Sequence, residues 1–335
     1  MTAPRTRVGV IGAGALGHHH VRILRDLPEV EFVGFHEART ERAQQVAAEL
    51  GVRAWDDADA LIEGCDALTI VVPTPAHHAV ALSAVRRGRH VLIEKPLTTT
   101  LAEADEILDV AKREGALVQT GHVERFNRAI RAALPYVDRP RFLESDRLAP
   151  FNPRGADVAV VLDLMIHDID LLLTLVKSGA HDVAAVGIPV LTPFVDIANA
   201  RITFTSGAVA NVTASRVSRE RMRKLRIFQE SGYLSLDLAA GNGEFYRIRG
   251  DVDLAELTKS PQQLEAFVER IPLEAPEGEP LRLEFQSFVD AVRGTAPVAV
   301  TGDDGREALA VALRIVQEIE RSHPRLSAGM ETTRA

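Results

Sequence analysis

The chain has 335 residues, more than one ordinary hydrophobic core organises, which predicts two domains. Its residues are 46% hydrophobic and 26% charged, as in a soluble globular protein, and the net charge of −8 excludes sequence-independent binding of the whole molecule to nucleic acid or an anionic membrane. The single cysteine, Cys65, excludes an intramolecular disulfide and a thiolate zinc cluster.

The opening segment, Met1 to Arg7, lacks the apolar stretch of a secretory signal. No apolar run approaches the ~20 residues that span a bilayer, so the expected location is the cytoplasm. Residues 7–11 read as a buried parallel strand, followed by Gly12-Ala-Gly14-Ala-Leu-Gly17 and a helical pattern to about Asp26. A second strand, Glu31 to His36, ends at Glu37, and a helix spans about Glu41–Leu50. Ala67–Val72 is a β-branched run, followed by helix Ala76–Arg87 and strand His90–Ile93. A helix around Ala102–Glu114 and strand Leu117–Thr120 complete the series. Strands alternating with helices of this length predict a doubly wound parallel sheet, an α/β Rossmann domain over residues 1–121.

Beyond residue 121 the pattern changes. One very apolar helix, about Val158–Val176, precedes strand-like runs at Val183–Leu191, Asn199–Phe204, Ala208–Ser215, Leu225–Gln229 and Tyr233–Asp237. They predict an open, largely antiparallel sheet in a second α/β domain, residues 122–323. Helices near Leu281–Arg293 and Asp304–Ser322 belong to that domain in this reading, Glu274–Pro280 is an exposed loop, and residues 324–335 are a tail.

In the strand–turn–helix context each glycine has a task. Gly12 allows the tight turn, Gly14 lets backbone approach a pyrophosphate, and Gly17 lets the helix lie close on the strand. The helix start at Ala15, Leu16 and Gly17 offers free N–H groups to the anion. Glu37, twenty positions after Gly17, is placed to accept from the adenosine ribose hydroxyls and to repel a 2′-phosphate. NAD is therefore expected rather than NADP, a preference that Arg39 weakens. His18-His19-His20 cannot all face one ion, because consecutive helical residues point ~100° apart, and no metal is expected. These histidines are read as lining the helix's first turn, where one approaches the phosphates.

Glu94-Lys95-Pro96 follows a strand at its C-terminal end, the edge that faces the ligand crevice in an open parallel sheet. Glu94 and Lys95 are read as lining the cofactor site, and Lys95 as meeting a substrate hydroxyl; a lone lysine is otherwise a solvated charge. On helix Val158–Val176, Asp163, His167, Asp170 and Thr174 fall at i, i+4, i+7 and i+11, one narrow stripe that excludes Asp168. Buried carboxylates must find partners, and a substrate-filled cleft or an ion pair between elements would provide them.

With these residues in place the chain resembles the Gfo/Idh/MocA oxidoreductase family. The matching motifs are Gly12-Ala-Gly14-Ala-Leu-Gly17, Glu94-Lys95-Pro96 and Asp163-Leu-Met-Ile-His167-Asp168, in family order over essentially the whole chain. The resemblance implies that Lys95, Asp163 and His167 match the family's catalytic residues, and that His77, after Pro73, matches a histidine near the cofactor. Pro73 is counted with the cofactor site. Val72 stands where the family commonly has a polar residue, which removes one hydrogen bond to the cofactor. The family also implies a second-domain sheet used for oligomer contacts, here a homodimer or homotetramer.

A narrower likeness lies in Gly121-His122-Val-Glu124-Arg125-Phe-Asn127, Asp196-Ile-Ala-Asn199-Ala-Arg201 and Ser215-Arg216-Val-Ser218-Arg219. It is to family members acting on nucleotide-linked amino sugars. The implied reaction is oxidation at C3 of a sugar such as UDP-N-acetylglucosamine, with Arg125 and Asn127 in contact with substrate. Arg216, Arg219, Arg221, Arg223, Lys224 and Arg226 concentrate positive charge, and some match a substrate diphosphate; for most, a solvated edge or subunit interface is the plainer reading. In the expected chemistry His167, oriented by Asp163, takes the hydroxyl proton while Lys95 donates to the oxygen, or these two roles are exchanged. Competing readings are a dehydrogenase of a free polyol or simple sugar, and a non-catalytic NAD-binding sensor. The retained Lys95, Asp163 and His167 argue against the sensor.

Overall fold

A computed structural model describes residues 4–153, 155, 157–249 and 267–322. The expected tail at 324–335 lies outside them. The chain divides into two compact units, Met1–Val123 with Gly278–Ala310, and Glu124–Glu277 with Val311–Ala335.

In the first unit β1 (Thr6–Ile11) enters a sheet whose neighbours bury both faces, and Val8, Val10 and Ile11 are fully buried. It leads to α1 (Ala15–Arg25), β2 (Val30–His36), α2 (Thr40–Leu50), β3 (Ala54–Trp55), α3 (Ala58–Gly64), β4 (Ala67–Ile70), α4 (His77–Val85), β5 (His90–Glu94), α5 (Leu101–Glu114) and β6 (Val118–Gly121). The six strands are parallel in the order β3-β2-β1-β4-β5-β6, the predicted doubly wound sheet. The order reverses between β1 and β4, which makes that gap the expected ligand crevice. Helix ends follow local chemistry. Thr100 and Glu103 form a reciprocal capping box at the start of α5, and Gly115 closes it in the left-handed conformation.

The domain boundary differs from expectation. Helix α8 (Pro280–Val292) joins the first unit, because Phe285, Phe288 and Val289 enter the core formed by β1, β2 and α1. Residues 302–310 of α9 (Gly302–Ser322) also group there, where Gly302 lies against Leu108 and Val118.

The second unit begins with α6 (Arg128–Ala133) and β7 (Phe142–Leu148). A π-helical turn, Val161–Met165, runs directly into α7 (Ile166–Val176), where the sequence predicted one continuous α-helix. Strands β8 (Ala180–Ile188), β9 (Ile197–Phe204), β10 (Val209–Ser215), β11 (Met222–Gln229), β12 (Gly232–Asp237), β13 (Asn242–Ile248) and β14 (Val268–Leu273) follow. The eight-stranded sheet has the order β14-β13-β12-β11-β7-β10-β9-β8 and is antiparallel except for the β7/β10 pair. One face buries Leu143, Ala200, Ile202, Val212, Leu225, Ile227 and Leu234; the other stays open. Among the described residues no helix is long and apolar enough to cross a membrane.

Candidate active site

The first unit gathers its predicted residues at the carboxyl ends of its parallel strands. Gly12 follows β1 at φ +96°, and a Cβ there would stand 2.6 Å from the Val71 carbonyl oxygen. A Cβ at Gly17 would collide with the Gly12 carbonyl, so the third glycine is required for α1 to lie on β1. Above Gly14 the nearest atom to such a carbon is Arg39 Nη2 at 3.9 Å, which leaves room for a phosphate against the backbone. Gly14 caps α1 without a side-chain hydrogen bond, and Ala15 and Leu16 are exposed. The helix start thus presents its N–H groups to an anion.

Glu37 follows β2. Its Oε2 accepts from Ala13 N at 3.0 Å, and its Oε1 accepts from Arg39 N at 3.2 Å and Arg39 Nε at 2.8 Å. Burial opposes its charge, but the bonds from Arg39 and Ala13 hold the carboxyl below its ordinary range. A turn with open space over Gly14, a free helix start and an ionised carboxylate at the β2 end fit a dinucleotide.

The histidines separate. His18 meets Glu49 Oε1 at 3.0 Å, His19 is exposed, and His20 is fully buried with Nε2 3.1 Å from Glu94 Oε1. The histidine expected to approach the phosphates is not His20, whose position on the inward face of α1 turns it towards β5. Among the described residues no group of three or more His, Cys, Asp or Glu side chains is arranged to hold a metal ion. Glu94 is buried rather than presented to cofactor, because His20 and the Lys95 backbone occupy its oxygens. Lys95, next in sequence, is half-buried. His77 is also buried. Its Nε2 lies 2.9 Å from the Val72 oxygen and its Nδ1 2.9 Å from the Pro96 oxygen, so its ring ties the loop after β4 to the loop after β5. Burial pushes its pKa down, against the raising effect of those carbonyls. Both ring nitrogens thus face backbone carbonyls, while Pro73 nearby is exposed.

In the second unit Asp163 sits in the π-turn and His167 in the first turn of α7; both are half-buried. Irregular turns of this kind recur at functional sites. The Asp163 carboxylate lies against Gly155, where a Cβ would be 2.6 Å from Oδ2. Arg216 fixes that segment. Its Nη1 donates to the carbonyls of Gly155 (2.6 Å) and Val158 (2.7 Å), and its Nε donates to Asp196 Oδ1 at 2.7 Å. Asp196 also accepts from the backbone N–H groups of Val190, Leu191 and Thr192. Burial opposes its charge, yet these bonds and Arg216 hold its pKa far below the usual carboxylate range. Arg216 is therefore a buried clamp, not a diphosphate ligand, while Arg219 and Arg221 are exposed.

Two further expectations change, and one buried network is added. The partner of Asp170 is Arg125, through bonds of 2.5–3.1 Å, so the ion-pair alternative for that stripe position holds and the Arg125 guanidinium is engaged inside the fold. Asn127 caps α6. Its Oδ1 accepts from Ala129 N, and its Nδ2 donates to Glu124 and the Leu238 carbonyl, so its amide is spent on the fold. Asp168 accepts from Ser145 and Arg147, and Arg147 also reaches Glu124 at 2.9 Å. Burial works against the Arg147 charge, but Asp168 and Glu124 raise its pKa. This buried network went unread in the sequence, because Ser145 and Arg147 occupy core-facing positions of a strand whose pattern then looks polar on both faces.

A Rossmann unit with a dinucleotide turn and a second unit with an open sheet define the class. The chain belongs to the Gfo/Idh/MocA family of oxidoreductases: residues 6–122 match the model of the oxidoreductase family with an NAD-binding Rossmann fold, and residues 133–235 match the GFO/IDH/MocA C-terminal domain. It is a nicotinamide-dependent dehydrogenase acting on CH–OH groups. The chain is 38% identical over 319 residues to UDP-N-acetylglucosamine 3-dehydrogenase of Acidithiobacillus ferrooxidans, covering 94% of this chain and 97% of the relative. A solved structure of that enzyme superposes with a TM-score of 0.85 at 37% identity, over 95% of this chain and 99% of the other. Scyllo-inositol 2-dehydrogenase (NAD(+)) of Bacillus subtilis is 31% identical over 64% of this chain and 68% of its own length.

Proposed function

We propose that the protein is a cytoplasmic NAD-dependent enzyme that oxidises the C3 hydroxyl of a nucleotide-linked amino sugar such as UDP-N-acetylglucosamine. The observation that carries this reading is the 38% identity, nearly end to end, with a dehydrogenase named for that substrate. NAD rather than NADP is supported by the ionised Glu37 at the end of β2, which would accept from ribose hydroxyls and repel a 2′-phosphate.

Bound NAD supplies the hydride acceptor. Lys95 donates to the substrate hydroxyl oxygen and stabilises the developing alkoxide. His167 takes the hydroxyl proton as the adjacent C–H bond breaks, with Asp163 orienting the imidazole from one turn earlier. Exchanging the roles of Lys95 and His167 is the alternative within the same scheme. His167→Asn tests the assignment: the acidic limb of the kcat profile disappears if the imidazole is the base, and an unchanged limb moves that role to Lys95.

The open sheet face carries Phe142, Phe228, Tyr233 and Tyr246 as a ladder with ring centroids 4.8–5.7 Å apart, which supports a homodimer or homotetramer through that surface. The substrate class is tested by thermal unfolding in the presence of NAD. UDP-N-acetylglucosamine and UDP should raise the midpoint, whereas myo-inositol and free N-acetylglucosamine should not. Stabilisation by the free polyol alone would replace this reading with that of a simple-sugar dehydrogenase.

A further inference from the structure

Within the second unit, the fold claims only part of the basic run from Arg216 to Arg226. Arg216 is the buried clamp on Asp196. Lys224 and Arg226 lie on the open face of β11, each 2.7 Å from a carboxylate, Asp237 and Glu144 respectively. Arg223 alternates with them and so shares the other face with the buried Leu225 and Ile227. Its partner across the β7/β11 ladder is Arg147, and like charges placed opposite one another repel. Arg147 takes the available carboxylates: its Nε and Nη2 donate to Asp168 and its Nη1 donates to Glu124 Oε1 at 2.9 Å. Arg223 is left with one hydrogen bond among the described residues, from Nη1 to the same Glu124 oxygen at 3.3 Å. Its side chain is 39% exposed. Arg221, two positions earlier, is exposed and has no ion pair among the described residues. Burial lowers the Arg223 pKa, as do Arg147 and Arg221, and Glu124 and Asp168 offset this only in part. A guanidinium does not give up its proton, so three cations remain here against two carboxylates.

We propose that Arg223 and Arg221 form an anion subsite that takes the diphosphate of a nucleotide-linked substrate, with Glu124 holding the inner edge of the Arg223 guanidinium and leaving Nε and Nη2 for phosphoryl oxygens. Glu124 is itself fixed, since Arg147 occupies Oε1 and Asn127 Nδ2 donates to Oε2 at 3.0 Å, so the Arg223 fork is oriented before ligand arrives. A guanidinium fork matches a pair of phosphoryl oxygens, and a bound diphosphate supplies the negative charge that the protein leaves missing. The place suits that use. Asp168, which holds Arg147, is in the first turn of α7 and follows His167 directly, so the subsite adjoins the helix start that carries the candidate base. The inference rests on the nucleotide-sugar reading of the substrate and names the group by which such a substrate is told from a free polyol, which has no anion to offer.

The test is a calorimetric titration of the full chain, with NAD present, by UDP, uridine and inorganic pyrophosphate. Arg223→Gln should weaken UDP binding by about ten- to a hundredfold, the loss expected for hydrogen bonds between charged groups, and leave uridine binding as in wild type. Arg223→Lys keeps the charge without the fork and should recover only part of the loss. Arg221→Gln, at an exposed position, should weaken UDP binding by about two- to fivefold. Because Glu124 keeps Arg147 and Asn127, the melting temperature of Arg223→Gln should stay within about two degrees of wild type. Wild-type UDP affinity in a folded Arg223→Gln overturns the subsite and leaves the nucleotide-sugar reading in place. Should Arg223→Gln fail to fold, Arg221→Gln decides, and unchanged UDP affinity there overturns the subsite. A wild type that binds pyrophosphate through Arg223 but ignores UDP keeps the anion subsite and removes the nucleotide sugar as substrate. A wild type that binds neither UDP nor pyrophosphate overturns both.

Discussion

Replacing Glu37 by serine gives a direct reading of cofactor choice. The carboxylate stands at the end of β2 with only 8% of its side chain exposed, bonded to Ala13 N and to Arg39. The Arg39 side chain on its outer side is 69% exposed. A hydrogen bond from a ribose hydroxyl to a charged acceptor contributes about 1.5–3 kcal/mol, and each 1.4 kcal/mol is about tenfold in affinity. Glu37→Ser should therefore weaken NADH binding by about 10- to 100-fold. The same change frees the Arg39 guanidinium from its counter-charge, and a 2′-phosphate can then pair with it, so NADPH binding should strengthen. The assay is a fluorescence titration of both reduced cofactors against wild type and variant. Their affinity ratio is the decisive quantity, because partial loss of folding would lower both affinities together. An unchanged NADH/NADPH ratio would refute the placement of Glu37 at the ribose.

Two predictions concern buried charge in the second unit. Arg147→Met leaves Asp168 and Glu124 without their shared cation, and breaking a buried pair in this way costs about 3–5 kcal/mol. The calorimetric unfolding midpoint of that unit should fall by roughly ten degrees, and a change under two degrees would contradict the network's role. Asp196 has a native pKa depressed below its unfolded value of ~3.9, so its contribution is fully present above that pH and is lost as the pH falls through the native value. Wild type should lose melting temperature progressively below about pH 4, and Asp196→Asn should begin less stable and show a flatter acid dependence. Parallel curves would contradict the assignment.

The parallel domain was legible because its strands are apolar on both faces and its punctuation is chemical: glycines at 12, 14 and 17, and Glu37 at a strand end. Other features depend on where a side chain turns in three dimensions. The strand β7 was hidden because Ser145 and Arg147 face inward to satisfy Asp168, which removes the apolar alternation a half-buried strand normally shows. The helical pattern of α8 was visible, but not that Phe285 and Phe288 enter the first core. The stripe read along this segment assumed one α-helical wheel, which carries no sign of the π-turn holding Asp163 or of the Arg125 partner that claims Asp170. Arg216 was grouped with a run of basic residues, some read as matching a phosphate and most as a solvated edge or interface, because charge alone was visible. Its four internal acceptors lie up to 61 residues away in the chain.

The account's central claim is tested most directly by absorbance at 340 nm with purified protein, NAD and UDP-N-acetylglucosamine, run beside Lys95→Met. Growth of NADH in the wild type, with most of it lost in the variant while NAD still binds, is the predicted result. Wild-type turnover in Lys95→Met, or NAD binding by the wild type without reduction by any nucleotide sugar or polyol, would contradict it.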